Sequence, residues 1–156
     1  MKVVIGMPAF NEGKKMEIII NEIKKIADDI IVCNDGSTDS TGSIAQKMGA
    51  IVIDHEKNLG YGAAIKSIFS KAREIKADIL VTFDADGQHR SSDIQPVIQP
   101  ILEGEADIVI GSRFLENDVG IPKYRKFGIK TITNLANISS EIKLSDPQSG
   151  FRAYSK

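Results

Sequence analysis

The residues whose spacing points most directly to chemistry lie in segment 82–88, which reads Thr-Phe-Asp-Ala-Asp-Gly-Gln and ends a predicted buried strand. In an extended strand end, residues i and i+2 point the same way, so we expect Asp84 and Asp86 to project together. Two carboxylates on one face repel unless a cation lies between them, and their hard oxygens suit Mg²⁺ or Mn²⁺. Gln88 continues the spacing and would add an amide oxygen. The segment predicts a divalent-metal site, with a simple turn at Asp86 and Gly87 as the alternative.

Two further segments combine polar residues with glycines after predicted strands. Residues 34–39 read Asn-Asp-Gly-Ser-Thr-Asp, and a carboxylate such as Asp35 at a strand end can accept a hydrogen bond from a ring N–H of a base. Residues 58–62 read Asn-Leu-Gly-Tyr-Gly, where glycines permit close backbone approach and a helix start attracts phosphate. Ordinary turn chemistry explains each segment as well when it is taken alone. The second is not the dinucleotide fingerprint, because only Gly60 and Gly62 fit that spacing.

An alternation of strands and helices positions these segments. Continuous apolar runs predict buried strands at 2–7, 29–33, 50–54, 79–84 and 107–111. Apolar stripes at helical spacing predict helices within 16–26, 64–75 and 94–102, with a shorter one at 40–48. After residue 111 we expect a loop over 112–123, a helix over 124–138, a loop over 139–150 and a strand beginning at 151–154. The pattern predicts an α/β fold: an open, mostly parallel sheet with helices on both faces. Ligands of such sheets bind outside the carboxyl ends of the strands, where the polar segments lie.

Composition narrows the class of protein. The chain has 156 residues, 42% of them hydrophobic, which suffices for one compact domain and not for two. A net charge of −1 argues against a protein that binds nucleic acids or anionic membranes through an overall positive charge. The single cysteine, Cys33, excludes a disulfide framework and indicates a reducing compartment. No apolar run reaches the roughly 20 residues of a membrane helix, and the first residues do not resemble a signal peptide, so we expect a cytoplasmic protein.

Taken together and in order, the motifs resemble family 2 glycosyltransferases of the GT-A fold. The blocks are Pro8-Ala9-Phe10-Asn11-Glu12, 35–41, Asn58-Leu59-Gly60 and 84–88, and the resemblance covers residues 3–154. The later Gly111-Ser112-Arg113 and 146–152 resemble the subgroup that makes dolichyl-phosphate mannose or polyprenyl-phosphate glucose. The resemblance implies the nucleotide-diphospho-sugar transferase architecture, with one catalytic domain over 1–156. The family continues for several dozen residues after the Ser-Gly-Phe-Arg element, so we expect this chain to lack the family's C-terminal extension.

The resemblance also implies an activity and the residues that carry it. The enzyme would be a metal-dependent, inverting hexosyltransferase that uses a UDP- or GDP-sugar. The nucleotide-sugar would be bound by Pro8, Ala9, Asn11, Glu12, Asp35, Gly36, Asn58, Gly60, Asp84, Ala85 and Asp86. Mg²⁺ or Mn²⁺ would be held by Asp84, Asp86 and Gln88, and the catalytic residues would be Asp86, Arg113 and Arg152. One departure from the family is Asn34, which stands where the family has the first aspartate of a pair.

The acceptor implied by the resemblance is polyprenyl (dolichyl) phosphate, and the enzyme would then work at the cytoplasmic face of a membrane. A phosphate monoester is already anionic at pH 7, so it needs cations rather than a general base. The guanidinium groups suited to that role are Arg113, Arg125 and Arg152. Asp146, the acidic residue nearest the Ser-Gly-Phe-Arg element, is better interpreted as a turn residue than as a base.

Three alternatives remain open at this point. The same donor chemistry could serve a glycan hydroxyl acceptor, or the domain could bind a sugar nucleotide without turnover. A phospho-receiver domain would also cluster acidic residues around Mg²⁺ at strand ends. That third class leaves segments 8–12 and 58–62 unexplained, and it would place a lysine where this chain has Ser112 and Arg113.

Overall fold

The computed structural model describes residues 1–85, 90–112, 146 and 148–156. Within these residues, one sheet contains strands β1 (Val3–Ala9), β2 (Asp29–Asn34), β3 (Ile51–Asp54), β4 (Ile79–Thr82), β5 (Ile108–Ile110) and β6 (Arg152–Ser155). The helices are α1 (Gly13–Ile23), α2 (Thr41–Lys47), α3 (Tyr61–Glu74) and α4 (Ile94–Leu102), the last preceded by a short 3₁₀ turn at Ser91–Asp93. The predicted loops and helix over 113–145 lie outside the described residues.

The sheet is open and mostly parallel, as the sequence predicts. Its order is β3-β2-β1-β4-β6-β5, and the first four strands in this order run parallel to one another. Strand β6 is antiparallel to both β4 and β5. It enters between them and brings the chain's last described residues next to the end of β4, with Arg152 opposite Thr82.

Helices cover both faces of the sheet. On one face, apolar side chains of α1, α2 and α4 form one buried cluster with inward-facing residues of the strands, such as Ile5 and Met7 of β1. On the other face, Ala64, Ile68 and Ala72 of α3 pack on Val4, Ile31 and Leu80. Successive residues of a strand face opposite sides, so strands buried on both faces need the continuous apolar runs that the sequence contains.

The strand boundaries differ most from the sequence prediction at the ends of β1 and β4. Strand β1 continues through Pro8 to Ala9, because the N–H that proline lacks would face β4, whose pairing with β1 ends at Gly6. Strand β4 ends at Thr82 rather than at Asp84, so Phe83 and Asp84 follow the strand instead of completing it. Among the described residues, no helix is both long enough and apolar enough to cross a membrane.

Candidate functional site

A cavity of about 420 Å³ opens where the carboxyl ends of β1, β2 and β4 meet the start of α3. Three separate sequence motifs contribute to its wall, together with the residues that follow β4. The lining residues are Pro8, Ala9, Phe10, Glu12, Asp35, Asn58, Gly60, Tyr61, Ala64, Asp84 and Ala85. The fold therefore brings most of the predicted nucleotide-sugar residues to one place.

Asp35 is an acidic group of this wall that three hydrogen bonds hold in place. Its Oδ1 accepts hydrogen bonds from the Leu59 N–H (3.0 Å) and from His55 Nδ1 (2.6 Å), and its Oδ2 accepts from the Gly60 N–H (2.8 Å). Burial acts to raise the pKa of Asp35, but these hydrogen bonds outweigh it and hold that pKa below its ordinary value. The carboxylate is therefore ionised at neutral pH, and it ties the end of β2 to the segment that leads into α3.

The predicted residues Asn11 and Gly36 are not among the residues that line this cavity. Asn11 has a left-handed backbone (φ 56°), its Oδ1 accepts from the Thr38 N–H (2.9 Å), and its own N–H donates to Ser37 Oγ (3.0 Å). Gly36 also has a positive φ of 71°, and a Cβ there would lie 2.4 Å from the backbone of Lys57. Both residues support the loops that carry the cavity wall.

The loop after β1 is held in place by the residues that begin α2. The Glu12 N–H donates to Thr41 Oγ1 (2.9 Å) and the Gly13 N–H donates to Asp39 Oδ2 (3.1 Å). Hydrogen bonds from the side chain and backbone of Thr41, followed by the Gly13 N–H, lower the pKa of Asp39. Asp39 thus stays ionised and fixes the loop on which Glu12 meets the cavity.

A second cavity of about 370 Å³ adjoins the first and shares Tyr61 and Asp84 with it. Its other lining residues are Ile65, Thr82, Gln148, Ser149, Gly150, Arg152 and Tyr154. The antiparallel pairing of β6 with β4 creates this cavity, and Arg152 brings a positive charge to it. The Arg152 Nε–H donates to the Ser149 carbonyl at 2.8 Å, which fixes the guanidinium group relative to the turn before β6.

Tyr61, Asp84 and Gly150 meet at the boundary between the cavities. A Cβ on Gly150 would lie 2.6 Å from the Tyr61 hydroxyl and 2.8 Å from Asp84 Oδ2. Burial and then the negative charge of Asp84 raise the pKa of Tyr61 to about 12, so its hydroxyl remains protonated and donates to the Asp84 carboxylate. Glycine at position 150 leaves room for this contact.

The predicted metal ligands are only partly within the described residues. Asp84 lies on the wall of both cavities, and its carboxylate is the hard oxygen donor that Mg²⁺ or Mn²⁺ takes. Asp86 and Gln88 lie outside the described residues, as do Arg113 and Arg125. In the part of the chain that the structure describes, no group of three His, Cys, Asp or Glu side chains is placed to hold a metal. The chemistry of Asp84 fits the predicted role.

Sequence reasoning assigned no role to several residues of the site. Tyr61 stands directly after Gly60 at the start of α3, and His55 directly follows β3, so their positions at the same sheet edge were the available signal.

The departure from the family pattern at Asn34 also has a structural explanation. Its Nδ2 donates to Asp54 Oδ1 at 2.7 Å, a contact that a second carboxylate would replace with repulsion.

Comparisons with known proteins agree with this architecture. Residues 4–156 match the family model described as Glycosyl transferase family 2. A UDP-N-acetylglucosamine–dolichyl-phosphate N-acetylglucosaminyltransferase of Methanococcus voltae is 35% identical over 170 residues, covering 96% of this chain and 68% of the relative. A dolichyl-phosphate hexose transferase of Haloferax volcanii is 30% identical over 153 residues, covering 96% of this chain and 64% of the relative.

A solved structure matches as well. It is glucosyl-3-phosphoglycerate synthase from Mycobacterium tuberculosis, crystallised with Mn²⁺, UDP-glucose and phosphoglyceric acid. The TM-score is 0.76 at 25% identity, and the match covers 99% of this chain and 56% of the other. The chain thus spans roughly two thirds of the lengths of the two relatives above and little more than half of the matched structure.

Proposed function

The chain belongs to glycosyl transferase family 2 and has the GT-A fold, and from this premise we propose that it transfers a hexose from a UDP- or GDP-sugar to polyprenyl phosphate. The observation that carries the proposal is the first cavity. Its wall unites Pro8 and Glu12, Asp35, Asn58 and Gly60, and Asp84, which the sequence distributes over four connections. Nucleotide ligands of such sheets bind at the carboxyl ends of the strands, and a wall that combines apolar and polar groups suits the base and sugar of a sugar nucleotide.

In this proposal the nucleoside binds between the loop after β1 and Asp35. The ionised Asp35 carboxylate accepts a hydrogen bond from the ring N–H of uracil or guanine, while Pro8 and Glu12 line the base and ribose. A uridine nucleotide is supported by two comparisons: the name of the Methanococcus voltae relative includes UDP-N-acetylglucosamine, and the mycobacterial structure contains UDP-glucose. Glutamate and aspartate at this edge must be matched by donors of the ligand, which both bases and the ribose hydroxyls supply.

We assign the diphosphate end of the donor to the residues after β4. Asp84, together with Asp86 and Gln88, would hold Mg²⁺ or Mn²⁺, which when bound neutralises the charge of the departing diphosphate. The Mn²⁺ of the mycobacterial structure supports a metal of this kind. The Tyr61 hydroxyl, which donates to Asp84, orients that carboxylate between the two cavities.

The second cavity is the proposed acceptor site. Arg152 lies there, and with Arg113 and Arg125 it would bind the acceptor phosphate. An oxygen of that phosphate attacks the anomeric carbon from the face opposite the diphosphate, the new carbon–oxygen bond forms, and the bond to the diphosphate breaks. The anomeric configuration is inverted, and the phosphate needs no general base because it is already anionic. The lipid acceptor implies action at the cytoplasmic face of a membrane.

A transfer assay tests this function. The protein is incubated with UDP- or GDP-linked radiolabelled sugars, Mn²⁺ and polyprenyl phosphate in detergent, and label extracted into organic solvent is counted. We expect lipid-linked label from one nucleotide, none with unphosphorylated polyprenol, and a large loss in Arg152→Ala. Arg152→Lys, which keeps the charge but not the forked geometry, should retain part of the activity.

Other results would replace the proposal by a stated alternative. Transfer to a glycan or to phosphoglyceric acid, but not to the lipid, would identify a hydroxyl acceptor. Donor binding without transfer to any acceptor would identify a binding domain without turnover. Equal transfer to polyprenyl phosphate and to unphosphorylated polyprenol would contradict the role given to the second cavity.

A further inference from the structure

Behind the first cavity, three side chains form a hydrogen-bonded chain that the proposed function leaves unassigned. His55, which follows β3, has its Nδ1 2.6 Å from Asp35 Oδ1 and its Nε2 2.9 Å from Ser67 Oγ on α3. The His55 side chain is only 11% exposed. His55 lines neither of the two cavities, whereas Asp35 lines the first. The direct link from the His55 ring to that cavity is therefore its hydrogen bond to Asp35.

The proton positions in the hydrogen bonds among Asp35, His55 and Ser67 follow from the donor and acceptor groups involved. The Asp35 carboxylate is ionised and can only accept hydrogen bonds, so His55 Nδ1 must carry a proton and donate it. Nε2 then faces the Ser67 hydroxyl, which donates to a neutral ring or accepts from a charged one. Cys33 Sγ lies 3.6 Å from Nε2, but burial, followed by the charges of Asp35 and Asp54, raises the pKa of that thiol to about 11. No thiolate competes for the ring.

The order serine, histidine, aspartate is that of a hydrolytic triad, but the surroundings assign it differently. In a triad the serine hydroxyl faces the substrate and the aspartate lies behind the histidine. Here the direction is reversed, because Asp35 faces a cavity while Ser67, half-buried on α3, lines neither cavity. The member of this hydrogen-bonded series that can contact a ligand is therefore the Asp35 carboxylate.

The donors to Asp35 come from separate parts of the fold. His55 follows β3, and the N–H groups of Leu59 and Gly60 precede α3. Two donors meet Oδ1 and one meets Oδ2, so the plane of the carboxylate is defined. Because a carboxylate offers about four acceptor sites, one site on Oδ2 remains for a ligand. His55 supplies a side-chain donor that substitution can remove without altering the backbone.

We propose that His55 is a positioning residue for the donor nucleotide: held by Ser67, its ring orients the Asp35 carboxylate toward the base. The inference rests on the proposed function, in which Asp35 binds the base. It adds a residue outside the cavity on which nucleotide affinity depends, and it predicts which substitution restores that affinity.

Binding of UDP and of GDP, each with and without Mn²⁺, tests the inference by calorimetry on matched variants. His55→Leu removes the donor, and we expect a rise of roughly tenfold in Kd for the nucleotide that the wild type binds. His55→Asn places a side-chain N–H where Nδ1 was, so the Kd should return to within about threefold of the wild type. Ser67→Ala should have a smaller effect in the same direction. In the transfer assay, the donor KM should rise while kcat changes less.

Nitrogen-15 spectra of the His55 imidazole show which ring nitrogen carries a proton, which a purely structural role would not determine. The inference predicts a proton on Nδ1 at neutral pH, and a ring protonated on Nε2 alone would overturn it, because Asp35 would then receive no hydrogen bond from the ring. A wild type that binds neither nucleotide contradicts the proposed function, and with it the role of His55 in donor binding. Wild-type binding that is unchanged in folded His55→Leu contradicts this inference alone. If His55→Leu does not fold, Ser67→Ala and the imidazole spectrum decide instead. Wild-type affinity in folded Ser67→Ala, together with a ring protonated on Nε2 alone, would reject the inference.

Discussion

Replacing Gly150 with alanine adds one methyl group where the two cavities meet. Its Cβ would lie 2.6 Å from the Tyr61 hydroxyl and 2.8 Å from Asp84 Oδ2, and separations under 3.0 Å require a neighbour to move. The backbone of Gly150 is restrained, because its carbonyl accepts a 2.7 Å hydrogen bond from Thr82 Oγ1. The side chains of Tyr61 and Asp84 must therefore yield.

The size of the effect follows from that displacement. Restoring ordinary contact requires a shift of about 0.8 Å, and misplacing a reacting or binding group by about 1 Å can cost on the order of a hundredfold in rate. We expect metal-dependent donor affinity or turnover to fall between roughly tenfold and a hundredfold. Tyr61 is 52% exposed and can turn toward solvent, so the stability loss should be near the low end of the overpacking range, about 1 kcal/mol.

The assay compares Gly150→Ala with a control glycine that has space around it. Calorimetric titration with Mn²⁺ and nucleotide measures binding, and thermal unfolding measures stability. Gly62 lies in α3, and a Cβ there would meet nothing within 4 Å, so Gly62→Ala should be neutral or stabilise by up to about 1 kcal/mol. Adding Tyr61→Phe to Gly150→Ala removes the nearer clash and should restore part of the loss. Wild-type binding by Gly150→Ala would refute the reasoning.

Three further predictions concern the residues that support the site. Asn34→Asp replaces a 2.7 Å hydrogen bond to Asp54 with two facing carboxylates. Urea unfolding at pH 7 should therefore show a loss of about 1 kcal/mol in the free energy of unfolding, which the double variant Asn34→Asp/Asp54→Asn recovers. A single variant as stable as the wild type would contradict this. Cys33 has a pKa of about 11 against an ordinary 9.0, so at pH 8 the native protein holds about a hundredfold less thiolate, and iodoacetamide should label it slowly until urea is added. The folded pKa of Asp35 lies below the unfolded value of 3.8, so its contribution to stability is complete above that pH and is lost as pH falls through the folded pKa. Unfolding between pH 2 and 5 should therefore be less pH-dependent in Asp35→Asn, and identical slopes would count against the assignment.

Much of the fold was predictable because a doubly covered parallel sheet imposes a simple pattern on the chain. Strands β1 to β4 are continuous apolar runs, and the stripes on α1, α3 and α4 recur at helical spacing. The grouping of the polar segments at one edge follows from strand polarity alone. The sequence therefore suffices to assign Asp35 and Gly60 to the same edge of the sheet.

The remaining features depend on contacts between distant residues. The insertion of β6 between β4 and β5 sets Gly150 against Asp84, which are far apart in the chain, and no local pattern encodes that pairing. The hydrogen bonds from Asp35 through His55 to Ser67 likewise join three separate parts of the fold. Sequence reasoning treated Asp35 as a base-binding residue, but the hydrogen bonds that fix its carboxylate appear only in three dimensions.

Thermal unfolding of the wild type and of Asp84→Asn with UDP, GDP, UDP-glucose and GDP-mannose, each with and without Mn²⁺, tests the central claim of a metal-dependent donor site most directly. A ligand at 100 times its Kd adds about 2.7 kcal/mol, which at roughly 2–4 °C per kcal/mol raises the unfolding temperature of the wild type by several degrees. We predict such a rise with nucleotides of one base, only in the presence of Mn²⁺, and its loss in Asp84→Asn. No rise with any nucleotide, or an equal rise in Asp84→Asn, would contradict the claim.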